Sequence, residues 1–344
     1  MKKALKFMLL SLTLFIALCV GLFGYFVYTP DPVEPVLTGT LTKATIDVNG
    51  TSYTYRLYQP KDLAKGAPLV MVLHGSGQNG AQIRMETGYG FERLADQHHF
   101  AVVYPSGKSF DWNDCSRTGD FLVDGRELDD VKYLNNLVDK LVAEHGFDQA
   151  QIFATGVSSG GFMSLRLALE SPTRFRAVAA VSANLPAAEN FKCTPELAGT
   201  SVMIMNGTAD PLVPYTGGDA SLFGLFFNSG KVLSAEASAT FFADKYKLLS
   251  SPNPVNPLTT SSATTANSSD LNTASNLPND PSFSHVQRQN WRGEGRVEVE
   301  LISIIGGGHG MPQPYWQRPR ILGPSPMAPN GPELIWQFFA RQKP

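Results

Sequence analysis

Residues 156–160 read Gly-Val-Ser-Ser-Gly and stand between an apolar segment at 151–155 and a segment with helical spacing at 160–169. A chain that passes from strand to helix in so few residues must turn sharply, and the two glycines leave room for neighbouring backbone to pass close. Such a turn presents Ser158 at the start of the helix, where the helix dipole favours a developing anion. The alternative is an ordinary helix start capped by a serine. The flanking strand and helix favour the sharp turn, with Ser158 as a candidate nucleophile.

Short apolar segments alternate with helix-like segments along most of the chain. Continuous apolar runs are typical of strands buried on both faces, and Asn49-Gly50 predicts a hairpin turn. The alternation predicts an α/β fold with a mostly parallel central sheet and helices on both faces, in a single domain over 38–344. Strands are expected at 41–48, 51–58, 69–73, 101–104, 151–155, 178–181, 202–205 and 297–304, and helices at 91–98, 127–145, 160–169, 234–246 and 332–340.

A serine hydroxyl needs a base to act as a nucleophile, and the base needs an acid to fix its orientation. His309 lies in a glycine-rich segment after the last predicted strand, where its side chain can reach over the carboxyl edge of the sheet. Asp210 follows another predicted strand. The chain order Ser158, Asp210, His309 is the one expected of a nucleophile on a strand–helix turn. The rival acids Asp129 and Asp130 are better explained by the dipole of a helix that starts there.

Two backbone amides are expected to stabilise the negative charge that develops when Ser158 attacks a carbonyl group. One is the N–H of Ser159, directly after the nucleophile. The other should come from the glycine-rich loop 74–80, and Ser76 is the first candidate, with Gly77 as the alternative. The loop could also be a plain glycine turn.

Aromatic residues in loops at the same edge of the sheet are candidates for substrate contact. Trp112 and Asn113 follow the strand at 101–104, where loops line the pocket in an α/β architecture. Trp112 could stack on a substrate or pack in the core, and Trp316 has the same two interpretations. The other aromatic residues with this ambiguity are Tyr315, Phe223, Phe226 and Phe227.

Composition excludes several classes of protein and site. A net charge of −2 offers no basic excess to neutralise a phosphate backbone, so a nucleic-acid partner is not expected. Cys115 and Cys193 are the only cysteines outside the N-terminal apolar segment, and they could pair in an oxidising compartment. The spacing of histidines, cysteines and acids predicts no metal site, and no cofactor is expected.

The N-terminal residues 1–30 form an export or anchor segment. Lys2, Lys3 and Lys6 precede an uncharged apolar run at 7–28, long enough to span a bilayer as a helix. The positive-inside rule places these lysines in the cytoplasm and the rest of the chain outside it. An uncleaved anchor and a cleaved signal remain open. Without the three lysines the chain has 25 basic and 30 acidic residues, so the exported part has a net charge of −5.

A polar stretch interrupts the second half of the chain. Residues 250–283 are rich in Ser, Thr, Asn and Pro, and such a composition cannot bury enough apolar surface to offset the entropy of ordering it. We interpret it as a flexible surface insertion within the domain, because Asp210 lies before it and His309 after it.

Several motifs together resemble one known group of proteins. They include His74-Gly75, Trp112-Asn113, the 156–161 glycine–serine turn, Asn206-Gly207-Thr208-Ala209-Asp210 and Gly306-Gly307-Gly308-His309. In this order they resemble the poly(3-hydroxybutyrate) depolymerase and feruloyl-esterase-like α/β-hydrolases of carbohydrate-esterase family one. The resemblance implies an α/β-hydrolase fold and places Ser158, Asp210 and His309 in a catalytic triad.

The resemblance also implies a function. It points to an extracytoplasmic serine esterase, a monomer without a cofactor, acting on hydroxyalkanoate polyesters or oligomers, or on feruloyl or acetyl esters of plant polysaccharide. Two alternatives are a serine peptidase of the same fold and a non-catalytic binding protein built on it.

Overall fold

The computed structural model describes residues 2–108, 110–116, 122–123, 126–222, 224, 226–250, 286–293 and 297–342. Nearly all of the predicted polar insertion at 250–283 therefore lies outside the described residues, as do Phe223 and His285.

Most of the short apolar runs of the body form strands, and shorter or more polar strands are added to them. The strands are β1 Thr40–Val48, β2 Thr51–Gln59, β3 Leu69–Leu73, β4 Ala101–Pro105, β5 Leu122–Val123, β6 Arg126–Glu127, β7 Ile152–Val157, β8 Ala177–Val181, β9 Ser201–Gly207, β10 Gly218–Leu222, β11 Phe226–Val232, β12 Leu249–Ser250, β13 Val286–Arg292 and β14 Glu298–Ile304.

One ten-stranded sheet organises the fold, in the order β1-β2-β4-β3-β7-β8-β9-β14-β13-β12. The six central strands from β4 to β14 run parallel, and β1, β2, β13 and β12 pair antiparallel at the two edges. Every residue of these central strands is buried, which is the reason that most of them are apolar runs. Strand β14 also carries the buried acids Glu298 and Glu300, which pair with arginines. The expected mostly parallel sheet is confirmed.

In the described parts of the chain, seven α-helices cover the sheet or extend from it. They are α1 Lys2–Phe26, α2 Gly80–Glu86, α3 Gly90–His98, α4 Asp130–His145, α5 Ser159–Glu170, α6 Ala235–Lys245 and α7 Gly331–Arg341. Side chains of α4, α5 and α6 pack in the hydrophobic layer on one face of the sheet, and those of α3 and α7 pack on the other. This two-sided layering is the α/β-hydrolase fold that the motifs predicted.

Several details differ from the sequence-based expectations, and two of them have a clear physical reason. Helix α4 begins at Asp130 rather than at 127, because the Asp129 side chain caps it by accepting a hydrogen bond from Lys132 N at 2.9 Å. Strand β13 and the hairpin of β10 and β11 carry polar or partly exposed residues, so they lacked the apolar runs by which the central strands were found.

Helix α1 stands apart from these layers. Its residues Leu5–Phe26 are apolar and long enough to cross a membrane by length and composition, and none of this segment is buried against the rest of the chain. The N-terminal apolar segment is therefore a helix that could serve as a signal or an anchor.

Candidate active site

Ser158 occupies a strained turn between β7 and α5. Its backbone has φ 55° and ψ −123°, in a region that side-chain-bearing residues rarely adopt. Neighbouring backbone enforces the turn: a Cβ at Gly160 would lie 2.4 Å from the carbonyl oxygen of Leu73, and one at Gly156 would lie 2.3 Å from Gly160 O. Only glycine fits at both positions, so the sequence motif has the steric role expected of it.

Asp210 and His309 come together although 99 residues separate them. They follow the neighbouring parallel strands β9 and β14, and His309 Nδ1 lies 2.9 Å from Oδ2 and 3.1 Å from Oδ1 of Asp210. The Asp210 side chain is fully buried, and its Oδ1 also accepts hydrogen bonds from the backbone N–H groups of Leu212 and Val213. These bonds fix the carboxylate, which in turn holds the imidazole with Nε2 directed away from it.

The loop that carries His309 is held by a second segment. The N–H of His309 donates to Leu322 O at 2.7 Å, and that of Gly308 donates to Pro324 O at 2.7 Å. A Cβ at Gly308 would lie 2.5 Å from the Leu322 oxygen. The glycines of the loop therefore allow a close backbone contact that orients the imidazole.

A cavity of about 180 Å³ brings Ser158 and His309 together at the carboxyl edge of the sheet. Apolar side chains form much of its wall, among them Phe162, Leu212 and Val213. A carbonyl group bound here would lie within reach of both the Ser158 hydroxyl and the His309 imidazole.

The loop after β3 contributes Gly75 and Ser76 to the same cavity. The neighbouring amides are already engaged, since Gly75 N–H donates to Gln78 Oε1 at 3.0 Å and Gly77 N–H donates to Phe110 O at 2.7 Å. None of the described residues accepts a hydrogen bond from Ser76 N–H. Ser76 is thus better placed than Gly77 to donate to an oxyanion.

Asp111, which the sequence analysis did not single out, links the two predicted oxyanion residues. Its Oδ1 accepts hydrogen bonds from Ser159 Oγ and, at 3.2 Å, from Ser76 Oγ. The N–H of Trp112 donates to the same oxygen at 2.9 Å. An acid directly before Trp112-Asn113 in a polar loop was the only signal that could have identified it.

His74 is buried and holds the base of this loop. Its Nδ1 lies 2.8 Å from Gly75 O, and its Nε2 accepts a hydrogen bond of 2.9 Å from Gly107 N. This pattern requires the neutral ring with the proton on Nδ1. Burial lowers the pKa of His74 to about 4. His74 is therefore a neutral structural support and not a base.

Trp112 and Asn113 do not line the cavity, which corrects the expectation of substrate contact. Trp112 is completely buried, and its Nε1 donates to His74 O at 2.8 Å. Asn113 is also buried; its side-chain amide donates to Leu128 O at 2.7 Å, and its side-chain oxygen accepts a hydrogen bond from Lys192. Both side chains make their hydrogen bonds inside the protein, so they support the loops around the site and do not face the cavity.

Trp316 is likewise outside the catalytic cavity. Its Nε1 donates to Pro30 O at 2.9 Å, and it borders a groove beside Tyr25 and Tyr315. Its contact with a substrate stays a prediction. Phe226 and Phe227 lie on β11, and their side chains are outside the described part of the structure.

Cys115 and Cys193 form a disulfide with a Cα–Cα distance of 4.9 Å. The bond joins the loop after β4 to the loop after β8, and Lys192 N–H donates to Cys115 O at 2.9 Å beside it. The two cysteines that the sequence analysis considered as a possible pair are therefore bonded. Within the described residues, no cluster of His, Cys, Asp and Glu side chains is suited to hold a metal ion.

Fold and site together define an α/β-hydrolase that gathers a serine, a histidine and an aspartate at the carboxyl edge of its sheet. Residues 52–213 match the protein family described as Esterase PHB depolymerase. Over these residues the chain is similar to this esterase family, as its motifs predicted.

Individual relatives match parts of the chain. "Putative esterase NocK" of Nocardia uniformis subsp. tsuyamanensis is 34% identical over 195 residues, 55% of this chain and 54% of that protein. Poly(3-hydroxyalkanoate) depolymerase C of Paucimonas lemoignei is 31% identical over 130 residues, 36% of this chain and 29% of that protein. The chain thus spans about half or less of the length of these curated relatives. Among solved structures, an acetyl xylan esterase from Aspergillus awamori aligns with 79% of this chain and over 94% of its own length. The sequence identity is 18% and the TM-score is 0.48.

Proposed function

We propose that the protein is a serine carboxylic-ester hydrolase. The observation that carries the proposal is that Ser158, on its strained turn, shares a cavity with His309, whose Nδ1 is held by buried Asp210. This is the arrangement by which an imidazole activates a serine hydroxyl.

The reaction would proceed through an acyl-enzyme. Ser158 Oγ attacks the ester carbonyl while His309 Nε2 takes its proton, and the amides of Ser159 and Ser76 donate to the oxyanion. The C–O bond to the alcohol then breaks as His309 returns the proton to the leaving oxygen. Water, deprotonated by His309, attacks the acyl-enzyme and releases the acid and the Ser158 hydroxyl.

The proposed substrates are hydroxyalkanoate polyesters or oligomers, or feruloyl or acetyl esters of plant polysaccharide. The family match and the relatives named as a poly(3-hydroxyalkanoate) depolymerase and feruloyl esterases support this range. Comparing ethyl ferulate, acetylated xylan and hydroxybutyrate oligomers in one hydrolysis panel would separate the candidates.

We also place the catalytic part outside the cytoplasm, as a monomeric domain. An apolar N-terminal helix preceded by lysines and a disulfide between two distant loops support export. N-terminal sequencing of the exported protein distinguishes a cleaved signal from a retained anchor.

The decisive experiment is Ser158→Ala. We expect it to abolish hydrolysis of p-nitrophenyl butyrate and labelling by a fluorophosphonate, without a change in the unfolding midpoint beyond that of the control Ser52→Ala. Ser52 is exposed on β2 and is not among the residues that line the cavity. Retained turnover in Ser158→Ala would exclude the proposed nucleophile. Failure of the wild type to label would favour a non-catalytic binding protein.

A further inference from the structure

Arg318 is a buried arginine in the wall of the catalytic cavity. It is 8% exposed and lines the cavity together with Ser158 and His309. Its Nη1 donates to the carbonyl oxygen of Met311. Its Nη2 is buried and has no hydrogen-bond partner among the described residues. A guanidinium has five N–H donors, so this one is incompletely satisfied.

The charge of Arg318 is also without a close counterion. No described carboxylate lies within 4 Å of its nitrogens; Glu86, which lines the same cavity, and Asp210 act on its charge without forming an ion pair. Both of those acids are engaged elsewhere, Asp210 with His309 and Glu86 with Gln78 Nε2 at 2.5 Å. Burial lowers the pKa of Arg318 to about 10, so it is still a cation at neutral pH. A buried cation is costly unless it meets an anion.

The position of Arg318 indicates which part of a substrate it would meet. A Cβ at Gly310 would lie 2.6 Å from Arg318 Nε, so the guanidinium packs on the backbone next to His309. His309 is the group that protonates the departing alcohol in the proposed mechanism. An alcohol half that leaves beside His309 would therefore meet Arg318, whereas apolar side chains such as Phe162 and Val213 line other parts of the cavity.

We infer that Arg318 binds a free carboxylate on the alcohol half of the ester, so that the preferred substrate is an O-acylated hydroxy acid. The inference rests on the proposed ester hydrolysis and narrows its substrate class. A guanidinium and a carboxylate form strong charge-assisted hydrogen bonds, and the partner-free Nη2 supplies a donor for one. For an oligomeric hydroxyalkanoate, this places cleavage at the ester next to the carboxyl end.

The test compares two esters that differ in one group, 3-(butanoyloxy)butanoic acid and 3-(butanoyloxy)butanamide, by release of butanoate. Wild type should hydrolyse the acid with a kcat/KM at least about tenfold higher than the amide. Arg318→Gln should lose that preference, so that its kcat/KM values for the acid and the amide differ by no more than about threefold. Arg320→Gln is the matched control, because Arg320 is exposed and lies over Tyr25 outside the cavity. Equal rates of wild type on the two esters would overturn the inference.

A second measurement needs no variant. The product 3-hydroxybutanoate should inhibit hydrolysis of p-nitrophenyl butyrate by the wild type competitively, whereas 3-hydroxybutanamide should not inhibit at the same concentration. Equal inhibition by the two compounds would contradict an anion-binding Arg318. These outcomes are distinct from failure of the proposed function, in which the wild type would hydrolyse neither p-nitrophenyl butyrate nor the two probe esters.

Discussion

The indole Nε1 of Trp112 donates a hydrogen bond of 2.8 Å to the main-chain oxygen of His74. His74 begins the loop that carries Ser76 into the cavity, and its ring stacks at a tilt against Trp112 with 4.7 Å between centroids. The tryptophan therefore supports the proposed oxyanion loop from within the core.

Removing this bond should impair catalysis more than binding. In Trp112→Phe, the buried His74 carbonyl loses its donor, at a cost of about 1–3 kcal/mol in the free energy of unfolding. A displaced loop would misplace the Ser76 amide, so we expect kcat to fall at least about tenfold with KM nearly unchanged. Steady-state kinetics with p-nitrophenyl butyrate measures both.

Trp336→Phe is the control for this substitution. Trp336 stacks on Phe100 in the hydrophobic layer on the opposite face of the sheet from the Trp112 layer. It should lower the unfolding midpoint but leave kcat unchanged. A similar kcat for Trp112→Phe and Trp336→Phe would refute the supporting role of Trp112.

Asp210→Asn tests the pairing with His309. An amide at this position keeps the shape but favours the wrong tautomer of the imidazole, so kcat should fall by about 10³–10⁴-fold. Asp219→Asn, at an exposed position on β10, should behave as the wild type. Activity of Asp210→Asn within tenfold of wild type would require a different acid.

The buried, neutral His74 should make the free energy of unfolding depend on pH in the acid range. Its pKa is about 4 in the folded protein, against about 6.5 when exposed. Between these values the unfolded state binds more protons, so this contribution is fully present above about pH 6.5 and falls by about 3 kcal/mol as the pH drops to about 4.

Buried carboxyls titrate in the opposite sense over an overlapping range. Burial raises the pKa of Asp114 and that of Asp130 to about 6, so their contribution to stability declines as pH rises from about 3.8 through 6. The free energy of unfolding in urea is measured for the wild type and for His74→Gln at pH 4.5, 5.5 and 7. The difference between the two proteins isolates the contribution of His74 from that of the buried carboxyls. The variant should lose less stability on acidification, and His98→Gln, at an exposed position, should parallel the wild type. Parallel curves for His74→Gln would contradict the buried neutral ring.

The disulfide predicts a dependence on reductant. A cross-link between Cys115 and Cys193, 78 residues apart, restricts the unfolded chain and is worth about 2–4 kcal/mol. The double variant Cys115→Ser and Cys193→Ser should lose that amount in urea unfolding and become insensitive to dithiothreitol. Cys19→Ser, which removes the exposed free thiol of α1, should retain the wild-type response. An unchanged midpoint in the double variant would show that the bond contributes no stability.

The sequence determined the central sheet because its six parallel strands are buried on both faces, which favours the apolar runs by which they were predicted. It also determined the turn at Ser158, since glycine at 156 and 160 is the only residue that tolerates the approach of neighbouring backbone. The order of Ser158, Asp210 and His309 followed from where each lies after a predicted strand.

Only the tertiary structure decided which polar and aromatic side chains enter the cavity. Trp112 and Arg318 show the reason: the position of each depends on a contact outside its own local pattern, His74 for the first and Met311 with Gly310 for the second. An indole is as suitable for a core as for a substrate surface, and an arginine in a polar loop is ordinarily solvated. No local sequence pattern encodes burial. The structure shows that Trp112, a predicted substrate contact, is buried in the core, and that Arg318, which the sequence analysis did not single out, is a cation in the cavity wall.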